Sequence, residues 1–189
     1  MSIDDNIKFE SREQITEALR TQRDLSGADL SGLDLSGIKL TGLKMEGANL
    51  SETNLENAVL AANNMAGINL TATKLNEAQI AAANMSSASL HGAQLRGTKI
   101  SAVNLENADL TEVDLTESRM FAVNVSGADF SDVQTTDAQA SGVDWSKARV
   151  PPTEIPEPIL VPPWIPALLA GIGLVFVAGI IIAKKRRKT

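Results

Sequence analysis

The chain contains no cysteine and only one histidine, His91. Without cysteine it has no disulfide bond, no zinc–thiolate centre and no cysteine nucleophile. His91 has no second histidine with which to share a metal ion, and the Ser-Gly pairs of the sequence do not match a phosphate-binding loop. These absences predict a protein that is not an enzyme and that holds neither a metal nor another cofactor.

Charge is distributed unevenly along the chain, whose net charge is −6. Residues 24–150 carry sixteen acids and eight bases, whereas Lys184–Lys188 consists of bases alone. This pattern predicts an acidic domain with a basic tail rather than a nucleic-acid-binding protein. Residues 1–6 are polar and lack the apolar run of a secretory signal peptide, so we expect none.

A bulky apolar residue recurs at every fifth position from residue 25 to residue 130. These central residues are Leu25, Leu30, Leu35, Leu40, Met45, Leu50, Leu55, Leu60, Met65, Leu70, Leu75, Ile80, Met85, Leu90, Leu95, Ile100, Leu105, Leu110, Leu115, Met120, Val125 and Phe130. Alanine often lies two residues before the central residue, with Asp or Asn between them, as in Ala28-Asp29-Leu30. Neither a helix nor a strand has a period of five. Such a strict short repeat is typical of a solenoid.

The motif A-(D/N)-L-x-x over residues 23–150 resembles the pentapeptide-repeat family. The resemblance implies an all-β solenoid, a right-handed four-sided β-helix of about six coils in which four pentads make one coil. It also implies that the central residue and the residue two before it point inward, while the other three positions face water or form the corners. The Ser, Thr, Gly, Glu and Asn residues at the outer positions suit such turns.

Both ends of a β-helix expose unpaired backbone and need a cover. Ser11-Arg-Glu-Gln14 has the pattern of a capping box, so residues 1–22 are predicted to contain a short helix that closes the N-terminal end, with Ile7 and Phe9 packing beside it. At the other end, Thr135 and Ala140 replace the large central residues. Trp145 is predicted to plug the C-terminal end.

Asn63 occupies an inward position where alanine is expected. A buried amide without hydrogen-bond partners costs several kcal/mol, so we expect Asn63 to bond the backbone of adjacent coils. Asn64, Asn84, Asn104 and Asn124 are twenty residues apart and should stack as a ladder on the surface.

One outward corner of the predicted β-helix is unusually apolar. Residues twenty apart stack there, and Phe121 is the only large aromatic residue at an outward position. The candidate partner surface consists of Ala61, Ala62, Ala81, Ala82, Ala102, Phe121 and Ala122. A contiguous strip suggests a surface for an unidentified protein partner or for a second copy of the chain. The alternative is an ordinary smooth surface, since alanine is common on protein surfaces.

The C-terminal region predicts a membrane anchor. Residues 151–163 are rich in proline and predict a semi-rigid linker. Residues 164–183 predict a transmembrane helix, because Ile165–Ala183 carries no charge and is long enough to cross a bilayer, and residues 184–189 form a basic tail. The predicted membrane-interface residues are Trp164, Lys184, Lys185, Arg186, Arg187 and Lys188.

The orientation in the membrane follows from two conflicting signals. The basic tail favours a cytoplasmic C-terminus, which places the repeat domain outside. The absence of a signal peptide is typical of a tail-anchored protein, whose N-terminal domain stays in the cytoplasm. We expect a single-pass protein with a cytoplasmic repeat domain.

Three functions are compatible with the sequence. The first is a non-enzymatic, membrane-anchored scaffold that mediates protein–protein interaction. The second follows from the family resemblance, because some members resemble DNA in shape and charge and inhibit topoisomerases; those favour phenylalanine at the central position, whereas this chain has it only at Phe130. The third is a homo-oligomer formed through the membrane helix, in which Ala167 and Gly171 form a small-xxx-small pair.

Overall fold

The computed structural model describes residues 7–159, and these residues build a parallel β-solenoid with a helix at its N-terminal end. In chain order the elements are helix α1 (Arg12–Thr21), β1 (Lys39–Thr41), β2 (Val59–Ala61), β3 (Gln79–Ala81), β4 (Lys99–Ser101), β5 (Arg119–Phe121), β6 (Gln139–Ser141), a 3-10 helix (Trp145–Lys147) and β7 (Glu157–Pro158). The seven strands form one sheet in sequence order. All of its pairs are parallel.

Each coil takes twenty residues and has four sides. Strands β1 to β6 form one side, in which each residue pairs with the residue twenty positions later, as Leu40 with Leu60. The other three sides are joined by single-residue bridges of the same spacing, for example Asp24 with Lys44 and Asp29 with Asn49. We call the pair of backbone hydrogen bonds that joins one side of a coil to the next coil a rung. The four-sided β-helix predicted over residues 23–150 is therefore confirmed as a parallel β-solenoid.

The core is filled by the two inward positions of each pentad. Leu50, Leu70 and Leu90 lie above one another and are at most 1% exposed. Ala48 and Ala88, two residues before a central residue, are equally buried. Because each coil rests only on its neighbours, the five-residue sequence period translates directly into the alternation of buried and exposed positions.

The corners require an unusual backbone. The second residue after each central residue has a positive φ, whether it is glycine, as Gly27 (69°), or not, as Glu52 (58°) and Ala62 (55°). On three sides a hydrogen bond closes the turn, as from the Ala28 amide to the Leu25 carbonyl at 3.1 Å. Among the described residues, the corner after β1 to β5 has no such bond, so this corner is open.

Asp and Asn side chains fasten the turns from outside. The Asp29 carboxylate accepts hydrogen bonds from the Ser31 amide and from the Asn49 side chain, both at 3.0 Å. The Ser31 hydroxyl and amide hold the pKa of Asp29 below its usual value. Since a lowered pKa favours the folded state above the pKa of the unfolded chain, this contribution to stability is present at neutral pH and is lost as the pH falls through the folded-state pKa.

Asn63 is buried as predicted and satisfies both ends of its amide. It donates to the Leu40 carbonyl at 2.8 Å and accepts from the Leu43 amide at 2.9 Å. These two backbone groups belong to the open corner of the preceding coil. The predicted bonding of Asn63 to an adjacent coil is confirmed.

Helix α1 closes the N-terminal end. The Ser11 side chain accepts from the Gln14 amide, the predicted capping interaction, and Ile15 is fully buried. Phe9 is also buried, and its amide donates to the Asp29 carbonyl at 2.8 Å. The prediction for Ile7 is wrong: its side chain is 42% exposed, because only its backbone joins the first coil.

The last coil contains one extra residue. In earlier coils an amide such as that of Gly67 bonds nineteen residues onward, to Ser86, whereas Gly127 bonds twenty residues onward, to Lys147. The 3-10 helix Trp145–Lys147 takes up this residue. Trp145 consequently lies outside the stack of central residues, twenty positions apart, that its sequence position would continue. It packs edge-on against Phe130, with ring centroids 5.2 Å apart. From this position, on the side of the coil where Phe130 lies, the Trp145 ring covers the C-terminal end of the core.

The segment predicted as a linker begins as part of the β-helix. Strand β7 pairs with β6, the Thr135 hydroxyl donates to the Glu154 carbonyl at 2.8 Å, and Pro152 and Pro156 are buried. Proline can lie in β7 because an edge strand needs fewer backbone donors. Residues up to Pro158 belong to one compact unit, so a fragment of residues 1–159 keeps the complete core and both covers.

Ser118 provides a test of this core packing. Its hydroxyl is fully buried and has no hydrogen-bond partner among residues 7–159, whereas Thr98, one coil earlier, donates to the Leu75 carbonyl at 2.8 Å. We expect Ser118→Thr to raise the free energy of unfolding by about 1–2 kcal/mol, since it adds a buried methyl group and restores the bond. Urea unfolding of residues 1–159 measures the change, with Ser118→Ala expected to be neutral or mildly stabilising. A clear loss of stability in both variants would contradict the unpaired state of the hydroxyl.

Candidate interaction surface

The outward residues of β1 to β6 form a side without acids. At the first outward position the six strands carry Lys39, Val59, Gln79, Lys99, Arg119 and Gln139, and all the acids of residues 24–150 lie on the other three sides or their corners. Lys99 and Arg119 are directly paired neighbours in the sheet. Among the described residues, neither they nor Lys39 forms a salt bridge. Glu157 of β7 is the first acid in this column.

Acids flank the strand side at one of its two corners. Glu77 and Glu117 lie at the corner that precedes it, and Glu117 pairs with Arg96 at 2.6 Å, on the side away from the strands. The other corner is the open one. The second residue after the central residue of each strand lies at this corner, and from Ala62 to Ala122 that residue is always alanine. The basic, acid-free surface therefore continues into an apolar corner.

The structure brings all seven predicted surface residues together at that corner. Ala61 pairs with Ala81, and Ser101 pairs with Phe121, in the parallel register of the sheet. We call Ala61, Ala62, Ala81, Ala82, Ala102, Phe121 and Ala122 the alanine strip. In this strip Ala62, Ala82, Ala102 and Ala122 are exposed, and Phe121 is 36% exposed. Val59, half-buried in β2, extends the apolar surface and was missed from the sequence.

The strip contains strained alanines. Ala62, Ala82, Ala102 and Ala122 have φ values of 50–55°. A left-handed backbone costs an alanine roughly 1–2 kcal/mol, which glycine avoids. Thr41-Gly42 and Ser141-Gly142, at the two ends of the same corner, have glycine instead. The methyl groups thus fill the middle of the corner at a cost in backbone energy.

An amide ladder runs beside the strip. The Asn84 side chain donates to Asn64 at 3.1 Å, Asn104 to Asn84 at 3.1 Å, and Asn124 to Asn104 at 2.8 Å. The ladder begins at Glu46, which accepts from Asn64. Each amide donates toward the N-terminal end, so the ladder ends at Asn124 with an acceptor oxygen directed to the next coil.

A notch of about 310 Å³ lies at the C-terminal end of the strip. We call this the C-terminal notch; its lining residues are Ala122, Val123, Asn124, Val125, Gly142, Asp144 and Lys147. Lys147 and Asp144 form an ion pair of 3.7 Å at its rim. No sequence signal predicts this notch, because Thr135, Ala140 and Trp145 all stay on the five-residue period while the structure inserts one residue.

His91 has a structural partner. Its Nδ1 atom lies 2.8 Å from the Thr111 hydroxyl, twenty residues onward. Within residues 7–159, no three His, Asp or Glu side chains come together in a way that could hold a metal ion.

The predicted membrane-interface residues lie outside the described residues. This applies to Trp164, Lys184, Lys185, Arg186, Arg187 and Lys188, and to the predicted span 164–183 as a whole. Among residues 7–159, no helix is long and apolar enough to cross a bilayer.

Solved structures with a similar fold include a trypsin-treated variant of QnrB1, a plasmid-mediated fluoroquinolone resistance protein. It has 19% identity and a TM-score of 0.61, and the alignment covers 80% of this chain and 86% of QnrB1. The pentapeptide repeat protein Rfr23 from the cyanobacterium Cyanothece 51142 has 20% identity and a TM-score of 0.50, over 71% of this chain and 99% of Rfr23. At these identities the likeness concerns the fold alone.

No curated protein matches the chain in a sequence comparison. The family of pentapeptide repeats matches residues 24–57, 64–101 and 99–133, with 8 copies of its motif. These segments cover more than half of the chain and coincide with the coils of the solenoid. The chain belongs to the pentapeptide-repeat family.

Proposed function

We propose that the chain is a non-enzymatic scaffold that is anchored in a membrane and binds a protein partner through the alanine strip. The observation that carries the proposal is a contiguous apolar corner beside an acid-free strand side, on an otherwise acidic solenoid. Methyl groups in parallel register make a flat surface that another protein can approach closely. Phe121, which is 36% exposed, adds an aromatic side chain to this surface, and aromatic residues are enriched at interface hot spots.

Phe121→Ser tests the strip. We expect association with the partner, or self-association, to weaken by on the order of 1–2 kcal/mol, because the main anchor is lost. The free energy of unfolding should change by no more than about 0.5 kcal/mol, since surface substitutions have small effects. Pull-down from native membranes measures partner binding, and sedimentation of residues 1–159 measures self-association.

Thr41→Ser is the matched control, because Thr41 begins the same column of the sheet at the far end of the strip. It should alter neither quantity. A sharp loss of stability in Phe121→Ser with unchanged association would place the ring in the core, and no change in either would leave the strip as ordinary surface.

Membrane attachment is the second part of the proposal. It rests on the uncharged segment Ile165–Ala183, on Trp164 before it and on Lys184–Lys188 after it. Of the predicted linker, residues 151–158 pack onto the β-helix, and residues 160–163 lie outside the described residues.

Cell fractionation tests attachment. The full chain is expected to remain in the membrane pellet after carbonate washing, and a fragment of residues 1–159 is expected in the supernatant. Release of the full chain by carbonate would overturn the anchor. Protease added to intact cells then tests the proposed cytoplasmic orientation, because digestion of the repeat domain would place that domain outside.

Two alternatives stay open as predictions. A DNA mimic that acts on a topoisomerase needs acids around its surface, and the acid-free strand side disfavours it. A supercoiling assay with residues 1–159 decides this, since potent inhibition would replace the scaffold. Oligomerisation through Ala167 and Gly171 predicts self-association of the full chain in detergent that residues 1–159 do not show.

A further inference from the structure

One rung is missing at the C-terminal end of the β-helix. On this side every earlier rung has two bonds: the Asn124 amide donates to the Val103 carbonyl at 3.0 Å, and the Asn124 carbonyl accepts from the Leu105 amide at 2.8 Å. The next rung would need the Val123 carbonyl and the Val125 amide. Among residues 7–159, neither group forms a hydrogen bond.

The extra residue in the last coil explains the gap. Asp144 stands where the rung residue should lie, but its carboxylate accepts from the Ser146 amide at 3.2 Å and starts the 3-10 helix. The chain rejoins the regular path on the next side, where the Phe130 amide bonds the Val150 carbonyl. Bulges of this kind often occur beside functional sites because they end strand pairing locally.

The open rung faces the C-terminal notch and has three aligned polar groups. The Val123 carbonyl and the Val125 amide are the backbone pair. The Asn124 Oδ1 atom, which accepts from the Ser126 amide at 3.1 Å, is the third, because the amide ladder ends there without a further donor among the described side chains. Ala122, a member of the alanine strip, forms the adjoining apolar wall.

We propose that this open rung is a binding site for an extended peptide segment that presents an asparagine. The asparagine would repeat what Asn124 does one coil earlier. Its amide donates to the Val123 carbonyl, its carbonyl accepts from the Val125 amide, and its side-chain Nδ2 donates to Asn124 Oδ1. Addition of a strand to an exposed edge is a general mode of peptide recognition in which backbone bonds give affinity and side-chain pockets give specificity.

The partner is a segment of another protein rather than a lipid or a nucleic acid. A backbone donor and acceptor on either side of one residue match a peptide unit, and a notch of about 310 Å³ has room for only a few residues. Three hydrogen bonds give weak binding, which becomes useful when the alanine strip holds the same partner nearby. Of the alanine strip, the site itself uses only Ala122, and it does not depend on the membrane anchor.

The test uses residues 1–159 and a capped synthetic peptide with the sequence of Phe121–Gly127, which contains one asparagine. Titration is followed by two-dimensional nitrogen–proton NMR. We expect saturable shifts of the Val125 backbone amide and the Asn124 side-chain amide. The same peptide with leucine in place of asparagine should lose most of the affinity, at least about tenfold.

Three variants of the protein give the matched comparison. Asn124→Leu should lower peptide affinity at least about tenfold, while Asn124→Asp, which keeps an acceptor, should retain it. Asn84→Leu makes the same change inside the ladder and should leave affinity unchanged. All three must first show the circular dichroism spectrum and unfolding transition of the parent fragment.

Three results would overturn the proposal. One is the absence of a saturable shift at Val125 up to millimolar peptide. Another is equal loss of affinity in Asn84→Leu and Asn124→Leu, which would reflect a general effect on the ladder. The third is concentration-dependent dimerisation of the fragment that protects the Val125 amide, which would assign the edge to a second copy of the chain.

Discussion

Replacing Leu70 with aspartate is expected to abolish folding of the β-helix. Leu70 is fully buried in the middle of the stack, with Leu50 and Leu90 above and below it. A carboxylate without a partner costs several kcal/mol there, out of a total free energy of unfolding of about 5–15 kcal/mol. The variant should lose the β-type circular dichroism spectrum of residues 1–159 and form aggregates in sedimentation.

Gln79→Asp is the matched control, because it introduces the same charge at an exposed position of β3. Its effect on the free energy of unfolding should stay within about 0.5 kcal/mol. A folded Leu70→Asp variant of parental stability would refute the assignment of the central residues to the core. Leu70→Ala should give an intermediate loss of about 2–5 kcal/mol.

The sequence predicts the interior of the β-helix well because the physics of the repeat is local. Each coil buries its apolar face only against adjacent coils, so a residue's place in the pentad determines whether it is buried. Asn63 illustrates the strength of this reasoning. Its inward register position alone required hydrogen bonds to a neighbouring coil, and Leu40 and Leu43 provide them.

The ends were harder to predict because contacts there do not repeat. Trp145 lies on the five-residue period, yet Asp144 starts a 3-10 helix and moves Trp145 against Phe130. The sequence predicts a spacer that begins at Pro151, but Pro152 and Pro156 are buried and hold this segment on the last coil. A proline-rich composition indicates an extended chain equally well whether the segment packs on the β-helix or forms a free linker.

The four sides also differ in ways that the pentad motif does not encode. Within residues 7–159, the corner that follows Leu40 and its equivalents never has the turn hydrogen bond, and strands β1 to β7 all lie on that side. The alanine pairs Ala61-Ala62 and Ala81-Ala82 were visible as a sequence anomaly. Only the backbone hydrogen bonds of the structure show that these alanines lie at an open corner. The same is true of the missing rung at Val125.

Phe130→Ala is expected to have the second-largest effect, because Phe130 supports the C-terminal cover. Its ring is 1% exposed and meets Trp145 edge-on at an interplanar angle of 81°. Truncation removes a large core side chain and the aromatic contact, so the free energy of unfolding should fall by about 3–5 kcal/mol. Urea unfolding of residues 1–159 measures this loss.

Fluorescence reports on the same change, since Trp145 is the only tryptophan in residues 1–159. In Phe130→Ala its emission should shift to longer wavelength as the indole loses its buried neighbour. Phe130→Leu restores the usual central residue and should cost less than about 1.5 kcal/mol. If Phe130→Ala kept both the stability and the emission of the parent, Phe130 would not support Trp145, and the C-terminal end of the core would have to be closed by residues 151–158 alone.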